Sequence, residues 1–259
     1  MMQEEISLSK EKKRIQGGKT TTDLVLSAYT DGNSSIFPKI LKLHVPIGAT
    51  VADVTYGKGI FWKNVPKDDY NLLPTDITMG IDCRNLPYKN ESIDCVILDP
   101  PYAEGFYRRS QISKGALTGS HDAFWTRYGN QQRPVIAEGS KYFDVVLDLY
   151  FKAGQEARRV LRKGGVLIVK CQDQVSANKQ CLLHVDLINY YRSLGFYAKD
   201  LFVAMRSNKP CVSRILTQVH ARKNHSYFLV FIKTSQSHPE VEKDRSGKDV
   251  PAAKLFPSK

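Results

Sequence analysis

Short apolar runs alternate with helix-like segments between residues 24 and 234, and this alternation restricts the fold of the 259-residue chain more than any other feature. Strands are expected at 50–53, 71–73, 79–82, 93–98, 166–170, 196–204 and 227–232. A long helix is expected over 142–161. There Phe143, Val146, Leu147, Tyr150, Ala153, Ala157, Val160 and Leu161 recur at intervals of three and four, and Gly164-Gly165 supplies a stop. A second helix is expected over 182–194, closed by Gly195. Strands interleaved with helices build an α/β fold around a mostly parallel sheet covered on both faces. The connection 205–226 is too short for strand, helix and strand together, so the last strand should return antiparallel to the rest.

Composition sets the outer limits. Residues 1–23 are polar and basic, and 235–259 are rich in charge, Ser and Pro; both read as disordered arms flanking one folded domain over 24–234. The formal net charge of +12 favours an acidic partner such as nucleic acid, although a basic surface also serves solubility alone. Five cysteines without a CxxC pair suggest neither a disulfide framework nor a zinc site, so no metal is expected. No run approaches the roughly 18 apolar residues of a membrane span, and no apolar stretch opens the chain. A reducing cytoplasm is the compartment these features suggest.

Two places carry chemistry. The run Cys95-Val96-Ile97-Leu98 ends in Asp99-Pro100-Pro101-Tyr102, which delivers a carboxylate, a rigid backbone carbonyl and an aromatic face to one corner. That set suits a flat molecule bearing an amino group. The first strand leads into Asp53-Val54-Thr55-Tyr56-Gly57-Lys58-Gly59, where Gly57 and Gly59 let backbone pass close to a ligand. Trp62 stands where a dinucleotide fingerprint wants its third glycine, and the Walker spacing is absent. Asp76, just past the second strand, is placed to accept from ribose hydroxyls or else to cap a turn.

Asp99 to Tyr102 resembles the catalytic motif of S-adenosylmethionine-dependent amino-methyltransferases, which methylate exocyclic nitrogens of adenine or cytosine in nucleic acid. The segment 53–59 resembles the same family's Asp-x-x-x-Gly-x-Gly cofactor motif, with Val54-Thr55 departing from the usual Pro-Phe. Ile36-Phe37-Pro38, Asp82-Cys83-Arg84-Asn85-Leu86-Pro87 and 222–227 resemble further family segments. The cofactor motif precedes the catalytic one, which is similar to the γ-like order.

The resemblance implies a class I methyltransferase Rossmann-like fold with a seven-stranded sheet and one antiparallel strand. It also implies S-adenosyl-L-methionine as cofactor, with Phe37, Asp53, Tyr56, Gly57, Gly59, Asp76, Asp82 and Cys83 around it. Asp53 would neutralise the α-ammonium directly or through water, and Asp82 would accept from the adenine amino group. Phe37 serves equally well as core, and a turn cap is the lesser alternative for Asp82. Asp99, Pro100, Pro101 and Tyr102 become the catalytic set. Asp99 and the Pro100 carbonyl bind the amino hydrogens, and Tyr102 stacks on a flipped base.

Residues 103–141 follow directly, with Phe106, Arg108, Arg109 and Trp125 among interleaved cations and aromatics, as in a substrate-recognition insertion or a plain surface loop. Asn224 and His225 would line the target-base pocket, His225 being as readily structural. The leading expectation is N6-adenine methylation of DNA, ahead of N4-cytosine, an RNA base or a protein glutamine. From another class stands a non-catalytic nucleic-acid-binding subunit. With no recognition domain of ordinary size, sequence preference should be relaxed, or supplied by a partner subunit or homodimer.

Overall fold

The structure, a computed structural model, describes residues 24–102, 142–206 and 217–234, together with the backbone of 241–243 and 249–251. The strands in chain order are β1 (Ala28–Tyr29), β2 (Thr50–Asp53), β3 (Asn71–Pro74), β4 (Ile93–Leu98), β5 (Leu161–Cys171), β6 (Gln174–Ser176), β7 (Lys179–Cys181), β8 (Phe196–Met205), β9 (His225–Lys233), β10 (Val241–Lys243) and β11 (Asp249–Pro251). Seven of them form one sheet in the order β1-β8-β9-β5-β4-β2-β3, and β6-β7 and β10-β11 are separate antiparallel pairs. Strand β9 runs antiparallel to β5 and β8, and every other pairing in the sheet is parallel. This is the class I methyltransferase Rossmann-like architecture, with the single reversed strand where the short 205–226 connection required it.

The seventh strand is not the expected one. Residues 79–82 join no strand of the sheet. Asp76 accepts from the Thr78 amide at 2.8 Å and caps a 3-10 turn over Ile77–Met79, which Gly80 closes at φ 80°. That cap bends the chain off the sheet after β3, as expected of an Asx turn. The seventh place is taken by β1 at the opposite edge, where Ala28 and Tyr29 pair with Val203 and Ala204.

Among the described residues three helices cover the sheet: α1 (Asn33–His44), α2 (Tyr142–Val160) and α3 (Leu183–Ser193). Helix α1 contains Pro38, which has no N–H for the Ser34 carbonyl one turn back. Asn64 fills that gap, its Nδ2 donating to Ser34 O at 3.0 Å. The α2 periodicity buries Phe143, Val146, Tyr150, Ala153, Ala157 and Val160 as expected, with Leu149 fully buried in place of Leu147. Gly154 sits mid-helix because a β-carbon there would lie 2.2 Å from the Tyr191 ring, whose hydroxyl donates to Tyr150 O at 2.8 Å. The two faces of the sheet hold separate apolar clusters. One is centred on Val96, Leu98, Val169 and α2, the other on Ile97, Ile168, Phe228 and α1.

The register decides where the chemistry collects. Asp53 pairs with Pro74 and Ile97, and Leu98 pairs with Val169. The carboxyl ends of β2, β3, β4 and β5 therefore finish side by side, carrying Asp53, Asp76, Asp99 and Lys170 into one crevice, as open α/β sheets do.

Candidate active site

The turn after β2 is tied down at almost every residue. Thr75 N donates to Asp53 O at 2.8 Å, Tyr56 N to Thr75 O at 3.0 Å, and Gly57 N to Asp76 Oδ2 at 3.1 Å. Gly57 and Gly59 both lie in the left-handed region, at φ 52° and 64°. A β-carbon at Gly59 would lie 2.5 Å from the Tyr56 hydroxyl. At Gly57 its nearest neighbour would be Thr55 O at 3.9 Å, which leaves that face of the bend clear for close approach.

Asp53 is buried, and both its oxygens are engaged. Thr55 N donates to Oδ1 at 3.2 Å and the Trp62 indole to Oδ2 at 2.7 Å. Burial pushes its pKa up to about 7 against the pull of those donors, and the charges of Asp99 and Asp76 push further. Asp76 is equally occupied: besides Gly57, it accepts from the Thr78 amide and hydroxyl, each at 2.8 Å. Its cap thus holds the glycine bend as well as the 3-10 turn.

The Asp99-Pro100-Pro101-Tyr102 corner faces this turn. The Asp99 amide donates to Thr55 Oγ1 at 2.7 Å, a direct tether between the two motifs. Asp99 Oδ1 is buried without a hydrogen-bond partner among the described residues. Burial raises the Asp99 pKa to about 6, opposed by the charge of Lys170. The Tyr150 hydroxyl stands 2.7 Å from Lys170 O and 3.3 Å from Pro100 O; with one proton it favours the shorter contact, leaving the Pro100 carbonyl an acceptor. Tyr102 is half-buried, its hydroxyl receiving Arg206 Nη2 at 3.2 Å.

The other expected site residues fall in several places. Phe37 is fully buried, its ring 5.0 Å from that of Phe61 and 5.3 Å from that of Trp62, in the apolar layer beneath the turn. Asp82 accepts from the Arg84 amide at 2.9 Å and from its guanidinium at 2.6 Å, and Cys83 is buried in the core. Helix α2 pins that segment: Glu156 Oε1 accepts from Leu86 N at 2.7 Å, and Arg159 donates to Leu86 O and Tyr88 O. His225 Nδ1 lies 3.3 Å from Asn224 Oδ1 and its Nε2 2.9 Å from the Tyr227 hydroxyl. Tyr227 leads on to Asp173, which also meets His184 Nδ1 at 2.7 Å. Burial works to raise Asp173, but His184 and Tyr227 outweigh it and hold the carboxyl below its usual range. Beside this network a cavity of about 430 Å³ opens between Gln172–Asn178 and Thr217–Lys223, with Arg222 and Lys223 on its wall. Phe106, Arg108, Arg109 and Trp125 lie outside the described residues.

Four residues of the site had no part in the motif reading. Trp62 entered that reading only as a missing glycine, and Thr55 only as a departure from a pattern. Tyr150 was one apolar position of a helix. Lys170 belonged to an apolar strand, yet it is 5% exposed and sits over the rings of Phe61, Tyr102 and Phe228 at 5.5, 5.7 and 5.8 Å. The signal available for Lys170 was a lysine set inside an apolar strand run, between Val169 and Cys171.

A family model described as DNA methylase matches residues 93–254, more than half of the chain. No curated protein matches. Among solved structures, the chain is similar to the modification methylase TTHA0409 of Thermus thermophilus, solved with S-adenosyl-L-methionine: 18% identity over 64% of this chain and 58% of that one, TM-score 0.38. It is also similar to the cytosine-N4-specific PvuII DNA methyltransferase, with 16% identity, 60% and 48% coverage and a TM-score of 0.40. Against TrmN from Thermus thermophilus the figures are 14%, 78%, 50% and 0.43. The chain thus spans about half to three-fifths of the length of these structures.

Proposed function

Since the chain belongs to the DNA methylase family of N6/N4 amino-methyltransferases, we propose that it methylates the exocyclic N6 of adenine in DNA, on a base rotated out of the helix. The observation that carries this reading is the buried Oδ1 of Asp99, without a hydrogen-bond partner among the described residues, beside the Pro100 carbonyl and tethered through Thr55 to the glycine bend.

S-adenosyl-L-methionine is the cofactor and supplies, when bound, a methyl group on a positively charged sulfur. The residues present fit it. Asp53, Asp76 and Asp99 converge closely enough for the last two to raise the first, so a cationic ligand relieves their repulsion. The clear face of Gly57 admits close approach of a ligand to the backbone. Asp53, held by Trp62 and Thr55 at the start of that bend, takes the ammonium end. Asp76 and Asp82 have oxygens committed to the chain, and in this reading they chiefly shape the loop walls.

The target nitrogen is a poor nucleophile because its lone pair is delocalised into the ring. Asp99 and the Pro100 carbonyl accept its two hydrogens, draw it toward tetrahedral geometry and aim the lone pair at the methyl group. Transfer is direct and in line, with no covalent enzyme intermediate. The nitrogen then sheds one proton, for which ionised Asp99 is the adjacent acceptor. Tyr102, fixed at its hydroxyl by Arg206, stacks on the base. The net charge of +12 and the basic wall at Arg222 and Lys223 suit a phosphate backbone alongside.

Incubation with labelled S-adenosylmethionine and separate DNA and RNA pools, followed by nucleoside analysis, tests the reading. N6-methyladenine in DNA is expected. N4-methylcytosine would move the target base, label confined to RNA would move the substrate, and cofactor binding without transfer would favour a non-catalytic subunit.

A further inference from the structure

The mechanism leaves the buried charge of Lys170 without a task. Lys170 lies within the buried part of β5, one residue before its end, and its ammonium forms no hydrogen bond or ion pair among the described residues; it rests instead on three aromatic faces. Parallel pairing of Leu98 with Val169 makes Asp99 and Lys170 the next residues on neighbouring strands, which lie about 4.8 Å apart. The two side chains thus share a face of the sheet without touching as a salt bridge. A buried cation and a buried carboxylate oxygen, each lacking a hydrogen-bond partner among the described residues, stand side by side at the catalytic corner.

We propose that Lys170 is a positioning residue for the transfer reaction: its ammonium, held on the rings of Phe61, Tyr102 and Phe228, supplies the counter-charge that keeps Asp99 ionised while leaving both carboxylate oxygens open to the target amine. The spacing is the essential point. A direct ion pair would occupy a lone pair that the base must use, and the amine would have to displace the ammonium first. A charge one strand away still stabilises the carboxylate, because Coulomb attraction falls only as the inverse of distance in a weakly screened interior. The aromatic seat holds the ammonium back from Asp99 and at the same time supports Tyr102 from below.

Among the described residues, the other groups around Asp99 do not supply this charge. Asp53 on the β2 turn is a second acid and acts in the opposite sense. Tyr150 from α2, Tyr102 of the corner and Cys171 beside Lys170 are neutral or become anionic. Lys170 is the cation that draws Asp99 down from the value burial alone imposes. Because Asp53 and Asp99 interact, the acid limb of activity belongs to the pair, and Lys170 sets its lower member.

This inference rests on Asp99 as the amine acceptor, so its test has two arms. In the first, kcat/KM is followed against pH. Lys170→Met should move the acid limb up by about one pH unit, with cofactor affinity within about twofold, whereas Lys170→Arg should keep the limb in place. A Lys170→Met limb coincident with that of the wild type overturns the proposal. In the second arm, melting temperatures are compared at pH 8 for Lys170→Met, Asp99→Asn and the double variant. Removing the partner charge should restore part of the loss caused by Lys170→Met, and the double variant should fold even where the single one does not. Additive losses, or a double variant that also fails to fold, overturn it. The second arm needs no nucleic acid. A wild-type protein inactive on both DNA and RNA would end the functional reading while the melting cycle still judged the charge pair.

Discussion

Two acids end adjacent strands a few ångströms apart, and the chain treats them oppositely. Asp53 has a donor on each oxygen, from the Trp62 indole and the Thr55 amide. Asp99 has its amide anchored on Thr55 and a buried oxygen with no partner among the described residues. A saturated carboxylate is rigid and serves to shape a cradle. An unsaturated one stores the desolvation cost of a missing hydrogen bond, which a substrate amine can relieve. The difference separates a holding acid from a reacting one, and four measurements put it to the test.

The largest effect belongs to the reacting acid. Asp99→Asn should lower kcat by about 10²- to 10³-fold, as the loss of one preorganised group in a dry site does, while equilibrium binding of S-adenosylmethionine stays within about threefold. A collapse of cofactor binding as well would make Asp99 structural and erase the contrast. Trp62→Phe should do the reverse. It leaves Asp53 Oδ2 buried without a donor, at about 1–3 kcal/mol, so the melting temperature and cofactor affinity should fall while kcat at saturating cofactor is kept. Calorimetric melting and a cofactor titration read both numbers.

Thr55 joins the two acids, so its loss should be felt on the reacting side. Thr55→Val removes the acceptor for the Asp99 amide and should cost about tenfold in kcat, equivalent to about 1.4 kcal/mol, with Thr55→Ser largely restoring it. Equal damage from both variants would show that the methyl group matters rather than the hydroxyl. The smallest effect is on stability against pH. The Asp53 pKa rises from near 4 in the unfolded chain to about 7 in the fold. The folded state therefore holds the extra proton, and stability is lost as pH rises from about 4 to 7. Asp53→Asn should melt a few degrees higher relative to the wild type at pH 8 than at pH 5. A gap that narrows with pH would mean the buried acid is not penalised, and the two acids would no longer differ in the way proposed.

How much of this was legible beforehand depended on whether the deciding contact was local. The long helix, the strand into Asp99 and the antiparallel return of the last strand were readable from periodicity and connection length, which act over a few residues. Helix α1 was not read, because Pro38 argues against a helix until Asn64, far along the chain, supplies the donor for Ser34 O. The strand expected at 79–82 failed because the Asp76 cap competed with the apolar pattern and won, and two residues of the opposite edge completed the sheet instead. Among site residues, the glycines and Asp99 carry their signal in their own chemistry and spacing. Trp62, Thr55 and Tyr150 carry none, and Lys170 only that of a lysine in an apolar strand, since each matters through a partner on another element.

The α/β class, the single reversed strand, the two motifs and the kind of reaction they resemble are written in the order of residues, since backbone geometry and side-chain chemistry are properties of neighbours along the chain. Tertiary structure alone decided which carboxylates are satisfied and which is left wanting, and which cation stands beside it. Those are facts of strand register and burial. A pairing shifted by one residue would have sent Lys170 to the other face of the sheet.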